Sequence, residues 1–368
     1  MAKDAYIVFA AGGTGGHLFP AIAVASALRD RHPGAAIVFI GGSRGLETRL
    51  VPQAGFPLRT LPLSGLKGSS VRGRLIAASA AALAVIRCLS WFLRRRPALV
   101  VGAGGYASGP AVLAAWFLRV PTMLMEQNHF PGATNRWLAP RADAVCLPSE
   151  LAKQRLGGRG LVTGNPVRAE FAAIGPPPNA HRTALLVFGG SRGARSINRA
   201  LVAALPRLAA MTPAPRVVHQ TGPEDQRVIA QAYARCPGLE AEVQPFLDDM
   251  PRRLADADLV VCRAGATTLA ELAAAGRPAI LVPYPFAADD HQRANAEAVR
   301  DAGAALMVED RELDGARFAD ELVALASDTP RRERMAAAAR TLARPDATER
   351  IADVADALLD GKEEPRVP

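Results

Sequence analysis

The chain has 368 residues, is 49% hydrophobic and 21% charged, and carries a formal net charge of +9. That apolar content excludes disorder as a whole-chain description, and the length suits about two domains. Four dispersed cysteines (Cys88, Cys146, Cys236 and Cys262) make no CxxC pair and have no histidine at metal spacing, which argues against a disulfide framework or a zinc module.

Met1–Ala10 lacks the basic leader, apolar segment and cleavage site of a signal peptide. Instead Ala5–Ala11 is an apolar run ending in Gly12, Gly13, Gly15 and Gly16, and Ala21–Arg31 follows with helical spacing: strand, glycine loop, helix. Similar short runs recur at Ala36–Ile40, Ala98–Gly102, Pro121–Met125 and Ala144–Leu147. Short apolar strands alternating with helices predict a parallel sheet covered on both faces. Gly164–Arg168 and the Pro176–Pro178 run read as a linker. The pattern then restarts with Leu185–Phe188 running into Gly189–Arg195, followed by Arg216–Gln220, Glu242–Phe246, Leu259–Cys262 and Ala279–Tyr284. The expected fold is α/β, two Rossmann-like parallel-sheet domains with a ligand cleft between them. Helical spacing continues through Arg331–Asp360, before a frayed tail at Gly361–Pro368.

The charge divides at the same place. Up to Glu170 there are 20 Lys+Arg against 7 Asp+Glu, a balance of +13, and beyond it 24 against 28, a balance of −4. Compositional bias can make 40 of 44 basic residues Arg, but it does not make acid scarce in one half only. The first half is expected to meet an anionic partner: nucleic acid, lipid or a phosphorylated substrate. No aromatic-interleaved basic strip or helix-turn-helix pattern supports nucleic acid.

Leu75–Leu93 is long enough to consider as a membrane span, yet its apolar gain roughly cancels against Arg87. At 100° per residue, Arg72, Ser79, Arg87, Ser90 and Arg94 share a face, with Ile76 and Leu83 among them. Leu75, Ala82, Ile86, Leu89 and Leu93 form the face expected to pack on the sheet. Aliphatics set among arginines suggest a helix resting on an anionic bilayer, although a buried crossover helix would give the same spacing.

Three glycine clusters end strands: Gly12–Pro20 (GGTGGHLFP), Gly102–Pro110 (GAGGYASGP) and Gly189–Arg195 (GGSRGAR). Such turns let backbone amides approach phosphate oxygens, and a tight turn without ligand needs glycine equally. No cluster fits a P-loop or the dinucleotide fingerprint in its βαβ place, which disfavours an NAD enzyme.

With EQN at Glu126–Asn128, TNRWLA at Thr134–Ala139, GNPVR at Gly164–Arg168, FLDDM at Phe246–Met250, CRAGATTLAELAAAGRPAILVPYP at Cys262–Pro285 and DHQRANA at Asp290–Ala296, the ordered series resembles the MurG family of peptidoglycan glycosyltransferases. The resemblance covers almost the whole chain. It implies a GT-B fold, with an acceptor- and membrane-binding domain over residues 1–166, joined by a helix near 343–362, and a UDP-sugar domain over 167–342. It implies inverting transfer of N-acetylglucosamine from UDP-N-acetylglucosamine to the 4-hydroxyl of undecaprenyl-pyrophosphoryl-N-acetylmuramoyl-pentapeptide, converting lipid I to lipid II in peptidoglycan synthesis. The implied location is peripheral, at the cytoplasmic face of the bacterial inner membrane, with anionic inner-leaflet phospholipid and other cell-wall synthesis and division proteins as partners.

Carried over position by position, the donor set is Thr14, Gly15, Gly16, Asn128, Arg168, Ser191, Leu247 (whose backbone would read uracil), Ala266, Thr267, Thr268, Leu269, Ala270, Glu271 (on the ribose hydroxyls) and Gln292 (on sugar hydroxyls). Chemically, Ser191 and the amides of Arg192–Ala194 suit a diphosphate at a helix start, and Arg168 suits bidentate phosphate contact. Thr267, Thr268 and His291 depart from the commonest family residues. Tyr106 and Asn135 are acceptor-site candidates. Among six histidines only His17 lies in a glycine loop, so it is the candidate base for the acceptor hydroxyl, with Glu126 as rival base or as the group that orients Asn128. The one DxD, Asp256–Asp258, reads as a helix end, so no cofactor and no essential metal site are expected. The alternatives are a UDP-N-acetylglucosamine 2-epimerase and a non-catalytic, membrane-docked UDP-sugar-binding protein.

Overall fold

The structure, a computed structural model, describes residues 5–62, 71–177, 182–190, 193–313 and 316–361, with backbone alone at 71–77 and 288. It divides into two compact units, Met1–Arg168 with Arg344–Pro368, and Ala169–Ala343.

The first domain contains β1 (Tyr6–Ala10), α1 (Gly15–Arg31), β2 (Ala36–Gly42), α2 (Glu47–Gln53), β3 (Leu58–Leu61), α3 (Val71–Arg94), β4 (Leu99–Gly102), α4 (Ser108–Phe117), β5 (Thr122–Met125), α5 (Ala133–Leu138), β6 (Ala144–Leu147), α6 (Glu150–Arg155) and β7 (Leu161–Val162). Its strands pair in parallel in the order β3-β2-β1-β4-β5-β6-β7. Alternation along β1 explains why the strand reads as a continuous apolar run. Ile7 and Phe9 enter the core on one face, while Tyr6, Val8 and Ala10 enter the core on the other. The strand order reverses between β1 and β4, so the loops leaving these two strands meet at the switch point.

The second domain repeats the plan with α7 (Ala169–Ala172), β8 (Ala184–Phe188), α8 (Arg195–Ala209), β9 (Arg216–Gln220), α9 (Gln226–Ala234), β10 (Ala241–Gln244), α10 (Met250–Asp256), β11 (Leu259–Cys262), α11 (Ala266–Ala275), β12 (Ala279–Leu281), α12 (His291–Asp301), β13 (Ala305–Met307), α13 (Ala316–Ser327) and α14 (Thr329–Leu342). Its parallel order is β10-β9-β8-β11-β12-β13, with the switch between β8 and β11. Buried Arg277 staples this domain internally. Its guanidinium donates to the carbonyls of Leu254, Ala255, Ala275 and Gly175 at 2.6–3.0 Å, satisfying the orphan C=O groups at the ends of α10 and α11.

The final helix, α15 (Ala347–Leu359), belongs to the first domain and packs on α1. Ile351, Ala352, Val354 and Ala355 complete its core. Arg31 at the end of α1 pairs with Glu349, with Asp353 at 2.7 Å and with Asp356 at 2.8 Å. The helical spacing over 331–360 thus resolves into two helices in two domains. Ala343 turns extended, at φ −63° and ψ 143°, and Pro345 disfavours helix at the residue before it.

The packing face of α3 also differs from expectation. Ala84, Cys88 and Phe92 are buried, whereas Ile86 and Leu93, expected to pack on the sheet, are 61% and 72% exposed. Alanines at many positions blur the helix phase, and Phe92 sets it by burying the largest apolar side chain. The edge strands β3, β7 and β13, absent from the expected set, are short, and of their nine residues only Leu61 and Ala305 are buried, so they lack the two-faced burial that makes a central strand read as an apolar run.

Candidate active site

At the first domain's switch point, Gly12–Thr14 leaves β1 and enters α1. Thr14 is the extended N-cap, and its carbonyl accepts from the His17 amide at 3.2 Å. Its hydroxyl lies 3.5 Å from His17 Nδ1. The other edge of the imidazole lies against Gly104, where a Cβ would sit 2.7 Å from Cδ2 and 3.0 Å from Nε2. Gly104 also has φ +91°, so glycine there serves both the turn and the ring. Thr14 is exposed and His17 half-buried.

Behind this loop lies a carboxylate that spacing did not mark. Glu47, the first residue of α2, is fully buried. Its Oε1 accepts from the Gly42 amide at 2.7 Å and the Tyr106 hydroxyl at 3.4 Å, and its Oε2 accepts from the Gly13 amide at 3.4 Å. Burial, together with the charge and hydrogen bond of Glu47, raises the Tyr106 phenol above its ordinary pKa and keeps it a donor.

Glu126, at the end of β5, is 4% exposed and receives five N–H groups. Oε1 accepts from the amides of Gln127 and Asn128 and from Asn128 Nδ2, at 2.9–3.1 Å. Oε2 accepts from the Gly132 amide at 2.9 Å and Asn135 Nδ2 at 2.8 Å. A carboxylate offers about four lone-pair directions, so this one is saturated by its own loop. The geometry is that of a loop organiser that orients Asn128 and Asn135, the alternative to the role of rival base. Asn135 is buried, its amide held also by the Met125 carbonyl at 3.2 Å. Arg168 places its guanidinium 5.4 Å from the Phe19 ring of α1.

In the second domain the glycine turn after β8 is tight because Gly193 (φ +74°) approaches Thr221, leaving a Cβ only 2.0 Å from that carbonyl oxygen. Ser191 and Arg192 lie outside the described residues. Beyond them α8 begins without a side-chain cap or an acidic residue in its first turn. On α11, Thr267 and Leu269 are buried, Leu269 within the core, while Ala266, Thr268, Ala270 and Glu271 are half-buried. The Glu271 charge adds to burial in raising the Cys262 thiol, which places Glu271 beside the end of β11. Gln292 Oε1 accepts the Tyr284 amide at 3.0 Å, tying α12 to the segment after β12. Leu247 is buried, and its amide, expected to read uracil, donates to Gln220 Oε1 at 3.1 Å.

Two further groups escaped the sequence reading. Buried Gln220 joins the glycine turn to the Leu247 segment, and Arg263 donates to Asp310 at 2.5 Å and Ser196 at 2.8 Å while lying over Tyr284. Gln220 closes a strand, RVVHQ, that already carries Arg216 and His219, so its polarity gave no distinguishing signal. Within the DxD, Asp258 accepts the Ala184 amide at 2.7 Å, a structural task.

On α3, Leu83, Ile86, Arg87, Ser90, Leu93 and Arg94 span about 120° opposite the buried face, and Leu83 is 58% exposed. Arg72 and Ile76 have side chains outside the described residues. Trp116 and Phe117 on the adjoining α4, and Trp137 on α5, are also exposed, with Arg141 near both tryptophan rings. Among the described residues, no helix is long and apolar enough to cross a membrane.

Two parallel-sheet domains, each with a glycine turn at its switch point, and a last helix returned to the first domain define a GT-B fold. Residues 7–147 match the glycosyltransferase family 28 N-terminal domain, and residues 184–351 match the family 28 C-terminal domain. The UDP-N-acetylglucosamine–N-acetylmuramyl-(pentapeptide) pyrophosphoryl-undecaprenol N-acetylglucosamine transferase of Anaeromyxobacter sp. (strain Fw109-5) is 46% identical, over 96% of this chain and 93% of its own. The crystal structure of Acinetobacter baumannii MurG superposes with a TM-score of 0.78 at 30% identity, covering 95% of this chain and 98% of that one. A UDP-N-acetylglucosamine 2-epimerase structure reaches a TM-score of 0.67 over 98% of each chain, but at 14% identity, a likeness of fold alone. The chain belongs to the MurG family of N-acetylglucosamine transferases.

Proposed function

We propose that the protein transfers N-acetylglucosamine from UDP-N-acetylglucosamine to the 4-hydroxyl of lipid I, with inversion, releasing UDP and forming lipid II. The observation that carries this reading is 46% identity to a transferase of that specificity across 96% of the chain. The acceptor oxygen attacks the anomeric carbon as its bond to the UDP oxygen breaks. His17 removes the hydroxyl proton, and the leaving diphosphate takes the electron pair. The turn before α8, Ser191 and Arg168 stabilise that developing negative charge. Ala266–Glu271, Leu247 and Gln292 hold the uridine and sugar, with Glu271 on the ribose. Thr14, Gly15, Gly16 and Asn128 complete donor binding, and Tyr106 and Asn135 serve the acceptor.

The exposed Leu83, Ile86 and Leu93 beside Arg87 and Arg94 support contact with an anionic bilayer. On this reading the enzyme works at the inner leaflet, beside its lipid-linked acceptor.

Incubation with UDP-N-acetylglucosamine and a short-chain lipid I analogue tests the reaction. Formation of the disaccharide product with release of UDP is expected. Release of N-acetylmannosamine from donor alone would indicate an epimerase, and donor binding without turnover a scaffold.

A further inference from the structure

The buried carboxylate of Glu47 has no role in the scheme above, and its surroundings are unusual for a structural residue. Among the described residues it forms no ion pair; its partners are two glycine amides and a phenol. A buried charge held only by neutral donors is costly, and an apolar side chain of equal size would pack the same space. The chain has instead shaped two glycine turns around it. A Cβ at Gly12 would lie 3.2 Å from Oε1, at Gly42 2.8 Å from the same atom, and at Gly45 2.0 Å from Oε2. These glycines therefore accommodate an internal anion, whether or not a phosphate ever approaches the loop.

We infer that Glu47 is a positioning residue of the transfer reaction, fixing His17 through the Gly13–Thr14 turn. The connection is short. Oε2 accepts the Gly13 amide, the next residue is Thr14, and Thr14 meets His17 through both its carbonyl and its hydroxyl. Oε1 anchors the carboxylate to β2 at Gly42 and to Tyr106 on the β4 loop. Glu47 thus joins three loops at the switch point and holds the one that carries the imidazole. It also occupies the Gly13 amide, which withdraws that amide from any anionic ligand. Small displacements of a catalytic group cost large factors in rate, so a fixed turn matters to turnover more than to affinity.

The inference rests on the assignment of His17 to the acceptor hydroxyl, and the test separates the two. Wild type, Glu47→Gln, His17→Ala and the double variant are assayed with UDP-N-acetylglucosamine and a short-chain lipid I analogue, alongside thermal unfolding. Gln at 47 can keep its oxygen on Gly42 but presents an NH2 to the Gly13 amide, so the turn loses its tie while side-chain volume is kept. The expected result is a fall in kcat of about 10- to 100-fold, with donor KM within about threefold. The double variant should be no slower than His17→Ala alone, because the two residues act as a unit. Retention of kcat within about twofold, or losses that multiply in the double variant, would overturn the role of Glu47. If wild type fails to transfer, the proposed reaction falls instead. If wild type transfers and His17→Ala does too at full rate, the assignment of His17 falls and this inference with it. Should Glu47→Gln fail to fold, Glu47→Asp decides, since it keeps the charge but cannot reach Gly42 and Gly13 together.

Discussion

Gln220 donates from Nε2 to the Gly190 carbonyl at 2.7 Å, deep in the second domain where β9 ends. Its Oε1 accepts the Leu247 amide, so one side chain sets the spacing between the glycine turn after β8 and the Leu247 segment, to which the proposed function assigns the diphosphate and uracil. Gln220→Ala removes both bonds and leaves a buried N–H unpaired, a cost of about 1–3 kcal/mol. The expected outcome is a donor KM raised roughly tenfold with kcat at saturation within about twofold. Steady-state kinetics against UDP-N-acetylglucosamine checks this, and an unchanged KM would remove Gln220 from the donor site.

His17→Ala should lower kcat by about 10²- to 10⁴-fold, the usual worth of a general base, while calorimetry finds UDP-N-acetylglucosamine affinity unchanged. Full turnover in this variant would exclude His17 as the base.

Buried His219 contacts Asn198 at 3.0 Å and the Tyr233 hydroxyl at 3.3 Å, and burial lowers its pKa from 6.5 to about 4. Between those values the unfolded chain binds the proton and the folded chain does not. The associated stability is therefore complete above pH 6.5 and lost as pH falls towards 4. The loss is on the order of 3 kcal/mol. Urea unfolding from pH 7 to pH 4 should show it, and His219→Gln should flatten that dependence relative to wild type.

Arg277→Met should leave four carbonyls in the second domain without their donors. A loss of about 3 kcal/mol corresponds to a Tm lowered by roughly 6–12 °C for a domain of this size. Arg277→Lys should not recover it, because an ammonium cannot span the four acceptors that the planar guanidinium reaches. Differential scanning calorimetry distinguishes these outcomes.

Replacing Leu83, Ile86 and Leu93 together by Ser should weaken sedimentation with anionic and neutral vesicles alike. Replacing Arg87 and Arg94 by Gln should weaken only the anionic case, by about 1 kcal/mol per charge. Transfer to a water-soluble acceptor analogue should continue in both variants. Equal binding of all three proteins would place the membrane contact elsewhere.

The central strands were legible because parallel strands buried on both faces read as unbroken apolar runs, as in Tyr6–Ala10 and Leu259–Cys262. Edge strands such as Leu58–Leu61, half of it exposed, carry no such signature. On α3 the alanine-rich sequence offers several equivalent faces, and only tertiary packing of Cys88 and Phe92 selects one. The glycine turns announced themselves, but what they surround did not. Glu47 meets Gly13 across 34 residues and Tyr106 across 59, and no local spacing reports a contact of that range. Gln220 escaped for the same reason, lying 30 residues from Gly190.

Because α15 supplies part of the first domain's core, that domain is finished only by residues that follow the second domain in the chain. The whole of the second domain is synthesised in between, a delay on the order of ten seconds at ordinary elongation rates. During that interval the first domain's core lacks Ile351, Ala352, Val354 and Ala355, and Arg31 has none of its acidic partners on α15. The nascent first domain is thus open to chaperones, or to a bilayer, until the second half of the chain has emerged.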